Sequence, residues 1–491
     1  MTTAALDDDS KRPKSLKGES FKDSSANVNY GTIRELLQRL IGLLSKWGVE
    51  TEGVAPISKD RRTDTRIYQM FWLWFSVNFN VLAFSTGSAG PAFFGLDLRN
   101  SLLILLVVDV MYIFSISSSP CVETQRSTLY LRTCMVPAYF AVLGPKLGMR
   151  GMVQSRFSWG LYGAIIPSFL NVVSTLGFLI LNCIIGGQII AAVSTKLDDT
   201  LGIVIISLIS LVVTFFGYRV MHWFENFAWV PSVITFPILL GLANKHLNPS
   251  TMPSLPTPPA SSVLSFASFV ASSVITWHMI GAAFASAAPG IPSWNEGYDN
   301  GNDLGGLLSA VLSPSGGFSK FLLVLIALGT SCAVAPTMYT FGTSFMAITP
   351  AFSHIPRFAF AIVAEIILVP LAIIGAKKFY STLVDILSVI GYWSTSFGAI
   401  VLIEHFVFRM SFESYDIERW DNAGLLPPGI AAVTAFLGSF GIIIPSMQQT
   451  WYTGPIAASG TGDIGVFTGA AVAVLLYTPL RAIERRLWPG R

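Results

Sequence analysis

The sequence predicts an all-α membrane protein that crosses the bilayer many times, and two observations predict it. Of its 491 residues, 52% are hydrophobic and 12% are charged, a composition incompatible with a globular surface exposed to water. The hydrophobic residues also collect in runs of about 20, the length that a helix needs to cross the hydrocarbon of a bilayer. In lipid, such runs can pair their backbone groups internally only as helices.

Eleven hydrophobic segments follow one another in chain order, each separated from the next by a polar loop. They cover residues 68–90, 101–145, 163–193, 200–217, 226–243, 260–288, 319–347, 356–375, 383–408, 428–446 and 463–480. We therefore assign residues 67–482 to a transmembrane domain and residues 483–491 to a cytoplasmic C-terminus.

Residues 1–66 form a polar N-terminal tail that does not begin with the apolar stretch of a signal peptide, so we expect the first span to act as the insertion signal. Apolar residues recur at helical spacing over residues 31–48, which predicts an amphipathic helix on the membrane surface or under the bundle. Lys and Arg are concentrated at residues 59–66 and 146–156, before the first and third spans. This distribution places the N-terminus in the cytoplasm.

The charge pattern fails after the sixth segment. Strict alternation leaves residues 289–318, which contain no Lys or Arg, in the cytoplasm and places Arg409, Arg419 and Arg481 outside. One additional span near residues 277–278 restores the positive-inside pattern. We therefore expect that the chain lacks about one helix at this point.

The second segment is interrupted by the polar residues 115–132. The apolar pieces 101–114 and 135–145 are each too short to cross the bilayer, whereas joined directly they make one span. Two interpretations stay open: a true loop before a re-entrant piece, or an intron translated here together with an exon omitted after Trp277. Sequencing a spliced transcript decides between them.

Composition and motifs exclude several function classes. The net charge is +3 and no basic cluster is interleaved with aromatic residues, so no nucleic-acid partner is expected. The four Cys residues lack metal-site spacing, and the five His residues form neither a metal pair at helical spacing nor a nucleophile–base motif. We therefore expect neither an enzyme nor a bound cofactor or metal.

Several stretches resemble a known family. They are SVNFNVLAFSTG (76–87), GPKLGMRGMVQSRFSWG (144–160), PSWNEGYDNGNDLGGLLSAVLSP (292–314) and QTWYTGPIA (449–457). The chain resembles the fungal purine-cytosine permeases of the nucleobase–cation symporter family. That resemblance implies a LeuT-like bundle of two inverted five-helix repeats with extra C-terminal helices, and a substrate site at mid-membrane where helices one and six are broken. Residues 278–289 resemble the end of helix seven, so part of helix six and most of helix seven are expected to be missing.

In the first span, Asn80, Ser85, Thr86, Gly87 and Gly90 concentrate amide, hydroxyl and glycine at lipid depth. This composition predicts an unwound stretch whose backbone groups face a cavity. Small residues that let two helices approach closely are the alternative explanation. The resemblance implies that Ser85 contacts the substrate, with Thr86 beside it.

In the third span, Phe178 and Asn182 are one helical turn apart on the same face. An aromatic ring there can stack on a planar heterocycle while the carboxamide hydrogen-bonds its edge. Core packing for Phe178 and an interhelical bond for Asn182 are the alternatives. The resemblance implies that Phe178 replaces a stacking Trp, and that Trp277 is the second stacking aromatic.

The resemblance also implies a contact from Thr337 in the eighth helix, where this chain departs from the family. Asparagines usually stand at the positions of Ala333, Val334 and Thr337. Because a site that hydrogen-bonds a heterocycle discriminates through such bonds, the exact substrate stays open.

Ionisable residues inside spans are costly and therefore predict function. Asp109 and Glu365 are the candidates for ion coupling, whereas Asp385, Glu404 and His405 lie at helix ends, where snorkelling explains them equally well. The resemblance implies protons as the coupling ion.

The sequence thus predicts a secondary active transporter of the plasma membrane that imports nucleobases by proton symport. Two alternatives remain: a transporter of an allantoin- or vitamin-like substrate, and a non-transporting remnant that lacks part of the substrate helix.

Overall fold

The computed structural model describes residues 55–57, 72, 75–114, 144, 146–215, 218–247, 252, 256–272, 278–349, 352, 355 and 357–490. The predicted amphipathic helix 31–48, the polar insertion 115–132 and Trp277 lie outside the described residues, so these predictions stay predictions.

The described chain is helical almost throughout. In chain order the α-helices are Val81–Ala92 (α1), Leu98–Phe114 (α2), Gly151–Gln154 (α3), Arg156–Gly163 (α4), Ile165–Ala191 (α5), Asp199–Phe215 (α6), Tyr218–Ala228 (α7), Val230–Ala243 (α8), Ala260–Ala271 (α9), His278–Ala287 (α10), Pro292–Tyr298 (α11), Leu304–Leu312 (α12), Phe318–Ile348 (α13), Arg357–Ala376 (α14), Phe379–Ile403 (α15), Ile430–Ser446 (α16) and Gly465–Leu487 (α17). Two short antiparallel strands, Gln448–Gln449 (β1) and Tyr452–Thr453 (β2), lie in the loop before α17.

Most of the helices fall where the hydrophobic segments predict them, but α3 and α4 lie in the loop predicted before the third segment, and α11 and α12 lie in the loop predicted after the sixth. Within the described chain, six helical stretches are by themselves long and apolar enough to cross a membrane: Ile165–Ala191, Trp223–Ala243, Phe318–Ile348, Phe358–Ala376, Phe379–Arg409 and Gly465–Leu487. The sixth predicted segment differs, because it contains two short helices, α9 and α10. The last helix also differs, since it continues past residue 482 to Leu487 and ends on Arg485 and Arg486, where positive charge favours a helix C-terminus.

The centre of the bundle is the pair α5 and α13, the longest of the described helices at 27 and 31 residues. Both are apolar and largely buried, as expected for helices without a solvent-facing side. The first helix, α1, contacts α5, α13 and α15, while α16 and α17 pack on each other and on α15. Four helices, α1, α5, α13 and α15, therefore converge here.

Two glycines bring α1 and α10 into backbone contact. A Cβ atom at Gly87 would lie 1.8 Å from the carbonyl oxygen of His278, and one at Gly281 would lie 1.8 Å from that of Phe84. No other residue fits at either position without moving a helix. Small residues thus set the separation of these two helices, as they do in many membrane bundles.

Candidate functional site

Two contacts fix the register of α5 against α13. Asn171 Nδ2 donates to Ser344 Oγ at 2.7 Å, and a Cβ at Gly186 would lie 2.5 Å from Thr330 Oγ1. One residue number rises as the other falls, so the helices are antiparallel. With a constant rise per residue, Phe178 is level with Thr337, and Asn182 is level with Ala333 and Val334.

Other contacts show which way the side chains of α5 face. Ser174 accepts a hydrogen bond from Trp393 Nε1 of α15 at 2.8 Å, and Gly177 lies against Ile386 of the same helix. With about 3.6 residues per turn, Asn182 therefore faces α13, and Phe178 lies between the directions of α13 and α15. The register therefore puts Phe178 and Asn182 of α5 level with Thr337, Ala333 and Val334 of α13.

Asn182 has an unused hydrogen-bond acceptor. Its side chain is 2% exposed, and its Nδ2 donates to the Phe178 carbonyl oxygen at 2.8 Å. Its Oδ1 is buried and has no hydrogen-bond partner among the described residues. An orphaned buried polar atom costs about 1–3 kcal/mol, and such atoms are rare enough in native proteins to need an explanation.

The first span is interrupted over a shorter stretch than its run of polar residues predicts. Ser85 and Thr86 are fully buried within a continuous helix, and their hydroxyls donate to the carbonyl oxygens of Val81 and Leu82 at 3.1 and 3.0 Å. The break lies earlier, at residues 79–80, where Asn80 caps α1 by accepting from the Leu82 amide at 2.8 Å. The break thus falls at Asn80, one of the polar residues that predict it, and does not extend to residues 85–90. Hydroxyls are satisfied inside a helix by such back-bonding, whereas Asn strongly favours the N-cap.

Of the remaining predicted residues, the structure describes Thr337, Asp109 and Glu365 but not Trp277. Thr337 is half-buried, and its hydroxyl donates to the Ala333 carbonyl oxygen at 2.6 Å. Trp277 lies outside the described residues, but the next residue, His278, is buried against Gly87 of α1. Asp109 on α2 and Glu365 on α14 are half-buried, and neither helix is one of the four that converge.

Comparison with known proteins decides the family. Residues 130–244 match the model of a permease family for cytosine/purines, uracil, thiamine and allantoin. A purine-cytosine permease of Saccharomyces cerevisiae is 30% identical over 483 residues, which covers 89% of this chain and 86% of the relative. The chain belongs to the purine-cytosine permease family of nucleobase–cation symporters. It is therefore a multi-pass membrane transporter and not an enzyme.

More distant similarities extend along the same chain. A second purine-cytosine permease of Saccharomyces cerevisiae is 29% identical over 521 residues, covering 97% of this chain and 94% of the relative. A vitamin B6 transporter of that organism is 24% identical over 558 residues, covering 94% and 92%.

A solved structure confirms the fold class. It is Mhp1, a nucleobase-cation-symport-1 family transporter in a closed conformation with bromovinylhydantoin bound, and it matches with a TM-score of 0.56 at 14% identity, covering 90% of this chain and 96% of that one. The prediction of an inverted-repeat bundle is therefore correct for this permease.

Three buried hydroxyl groups, which the sequence did not reveal, form a hydrogen-bonded chain that joins α1, α15 and α11 near one end of the bundle. The Tyr380 hydroxyl of α15 hydrogen-bonds both Ser88 of α1 and Tyr298 of α11. All three residues are buried. Because they come from positions up to 292 residues apart in the chain, no local motif signals them.

Two cavities lie near opposite ends of α15. One of about 300 Å³ is lined by Ser388, Gln449 and Asp463, and the Asp463 carboxylate accepts hydrogen bonds from the Tyr392 hydroxyl and from backbone amides. The other, of about 440 Å³, is lined by Glu404 and Arg481. Neither is lined by Asn182, so both adjoin the ends of the bundle rather than its centre.

Proposed function

We propose that this permease imports nucleobases, cytosine or purines, across the plasma membrane by proton symport, with its N-terminus in the cytoplasm. The substrate would lie between Phe178 and Trp277, with its polar edge bonded by Asn182 and Ser85 and flanked by Thr86 and Thr337. The observation that carries this proposal is the buried Asn182 oxygen without a partner in the described chain. A heterocycle with an amino or imino N–H satisfies that acceptor.

Alternating access is proposed from the arrangement of the ends. The fold is one in which one repeat rocks against the other around a fixed central site. The hydroxyl chain of Ser88, Tyr380 and Tyr298 joins α1, α15 and α11 near one end, and opening at that end would break it. The cavities near the two ends of α15 are where water would enter in each state.

The central test compares two asparagines on α5 in cells that lack nucleobase uptake. We expect Asn182→Ala to weaken binding of radiolabelled cytosine, adenine or hypoxanthine by roughly ten- to a hundredfold, since a buried unmade bond costs about 1–3 kcal/mol. Asn171→Ala is the matched control, because it removes a hydrogen bond to Ser344 about 16 Å along the same helix. Uptake should survive it at equal surface expression. Equal uptake by both variants would contradict the proposed site.

A second candidate is a transporter of a vitamin-like ring. It is favoured by the similarity to a vitamin B6 transporter and by the apolar residues Ala333 and Val334 level with Asn182, which reduce hydrogen bonding to a base. Competition of labelled nucleobase uptake by excess pyridoxine or allantoin separates the two candidates. Strong uptake of pyridoxine without uptake of any base would replace the first proposal with the second.

We also propose that the chain lacks part of helix six and most of helix seven. The alignment with one relative extends over 521 positions, more than the 491 residues of this chain, so that relative has residues without a counterpart here. The test expresses the chain beside a version with the helix restored after Trp277 and residues 115–132 removed. Uptake by the restored version alone would identify the present chain as a non-transporting remnant.

A further inference from the structure

Glu225 on α7 is a buried carboxylate whose negative charge is not neutralised by any described cation. Its side chain is 1% exposed, and both carboxylate oxygens are buried without a hydrogen-bond partner in the part of the chain that the structure describes. No other described carboxylate has both oxygens in this condition. The proposed function assigns it no role.

Glu225 lies where three elements meet. One turn after it, the Ala228 carbonyl oxygen accepts from Cys332 Sγ of α13 at 3.1 Å, and the carboxylate and that thiol interact electrostatically. On its other side it interacts with the Ser76 hydroxyl, which precedes the break in the first span. The indole rings of Trp72 and Trp229 stack at 4.7 Å and hold that part of the first span against the same helix pair.

The height of Glu225 in the bundle can be read along α13. Cys332 contacts Ala228, and a Cβ at Gly329 would lie 2.9 Å from Ser232 Oγ, so α13 runs antiparallel to α7 and α8. When this register is extended by three residues from Ala228, Glu225 is level with Ala335 of α13. On the same helix Asn182 is level with Ala333 and Val334, so Glu225 lies within about one helical turn of the proposed substrate level.

A charge in such a place needs a counter-ion. An isolated ionised carboxylate in low dielectric is so costly that in practice it is neutralised, and ionisable groups within membrane spans mark ion pathways and proton relays. A proton neutralises a carboxylate without further ligands, whereas hard metal cations take six or more oxygens.

We propose that Glu225 is the binding site of the coupling proton, a role that rests on the proposed function. In the arrangement described here the carboxyl group holds the proton. When the first span and α13 move apart and admit water, the O–H bond breaks, the proton leaves to bulk water and the carboxylate is hydrated until the site closes again. Because the first span and α13 also hold the proposed substrate residues, the same movement releases both solutes.

Few other titratable groups bear on this site. On α13 they are Cys332, Tyr339 and Lys320, and on α6 only Asp199, at the end remote from α7. Of these, Cys332 is adjacent to Glu225. Measured along α13 from Ala335, the residue level with Glu225, Tyr339 is about one turn away and Lys320 about four turns. No described cation on α6 or α13 is therefore close enough to neutralise Glu225. On α7 itself, Arg219 and His222 precede Glu225, and their side chains lie outside the described residues.

The test uses the purified full-length chain in liposomes with an imposed pH gradient, and the variant Glu225→Gln. The amide imitates the protonated acid but cannot release a proton. We expect the wild type to accumulate labelled base above equilibrium, and Glu225→Gln to bind and exchange base with an affinity independent of pH but to lose all accumulation. The conservative variant Asp416→Asn, at a carboxylate whose side chain is 48% exposed, is the control that should still accumulate. Accumulation by Glu225→Gln driven by the pH gradient, or wild-type accumulation driven by sodium alone, would overturn the proposal.

A second measurement separates this inference from the proposed function. If the wild type neither binds nor transports any base, the proposed function fails, and infrared titration of the same protein still reports on Glu225. The carbonyl band of a protonated carboxylic acid should appear in the wild type, respond to pH and be missing from Glu225→Gln. Identical bands in both proteins would overturn the proton site.

Discussion

Two glutamates of this transporter are almost equally buried but differ completely in their partners. Glu404, 2% exposed, accepts from Arg481 Nε and Nη2, each at 2.9 Å, from Arg409 Nε at 3.0 Å and from the Tyr477 hydroxyl at 2.8 Å. Glu225, 1% exposed, has no hydrogen-bond partner within the described chain. One carboxylate is fixed in its charged form by two guanidinium groups, whereas among the described residues the other has only the Ser76 hydroxyl to favour its charged form.

This difference distinguishes a buried carboxylate with a structural role from one with a functional role. The Glu404 cluster joins α15 to α17, and Arg481 Nη1 also pairs with Glu484 at 2.9 Å, so the cluster contains as many cations as anions. A compensated cluster has no reason to exchange protons during a transport cycle. An uncompensated carboxylate exchanges its proton whenever water reaches it, which is what ion coupling requires.

The largest expected effect comes from breaking the compensated cluster. Arg481→Met leaves Glu404 buried with Arg409 as its remaining cation, and removing one partner of a buried ion pair destabilises by about 3–5 kcal/mol. We expect most of the folded protein to be lost, measured by fluorescence-detected size exclusion after heating. The double variant Glu404→Gln with Arg481→Met should recover part of the yield.

The matched control is an exposed ion pair. Arg419 pairs with Asp416 at 2.7 Å, but the two side chains are 40% and 48% exposed, and such pairs contribute about 0–1 kcal/mol. Arg419→Met should therefore leave the melting temperature nearly unchanged. If Arg481→Met were as mild as this control, the cluster would not be a structural element.

A smaller effect, of opposite sign at the two glutamates, is expected from neutral substitutions. Glu404→Gln removes the charge that two arginines compensate and should lower the melting temperature, because the guanidinium groups lose their partner. Glu225→Gln removes a carboxyl group that makes no hydrogen bond to the described chain, so stability at neutral pH should be unchanged or slightly higher. Thermal unfolding in detergent at pH 7 measures both. Equal destabilisation by the two variants would mean that Glu225 has a compensating partner.

The fold of this transporter was largely readable from its sequence, and the reason is physical. A long apolar run in lipid has only one way to satisfy its backbone, so the positions of α5, α13, α14, α15 and α17 followed from hydropathy alone. The helix break was harder. The polar residues from Asn80 to Gly90 predicted a break without fixing its position. The hydroxyls of Ser85 and Thr86 are satisfied by their own helix, and the capping side chain of Asn80 decides where the break lies.

The two glutamates show why a candidate site is predicted less completely than a fold. Glu404 was attributed to a helix end because its partner Arg481 is 77 residues away in sequence, a separation that no local pattern spans. Glu225 was missed because the predicted segment began at residue 226, although the aromatic neighbours Trp223, Phe224 and Phe227 signal that the helix is already in an apolar environment. By contrast, Phe178 and Asn182 were placed on one face because helical spacing is local.

The smallest expected effect concerns a third carboxylate, Asp303, which lies outside the spans and is intermediate between the two glutamates. It caps α12 by accepting from the Gly306 amide at 2.9 Å, but it has no cation beside it among the groups that shift its pKa, and burial, with the charges of Asp199 and Asp299, raises that pKa to about 6. The folded state then binds more protons than the unfolded state between about pH 4 and pH 6, so stability falls as the pH rises through this window.

Asp303→Asn keeps a good cap and removes the titration. We expect the melting temperature of the wild type, relative to that of Asp303→Asn, to fall by a few degrees between pH 4 and pH 7. Other groups titrate equally in both proteins, so the difference between the two curves isolates Asp303. Parallel curves would show that the backbone amides of Gly305 and Gly306 compensate the charge of Asp303 fully. The stability of the charged form in the three carboxylates would then depend on hydrogen bonds as much as on cations.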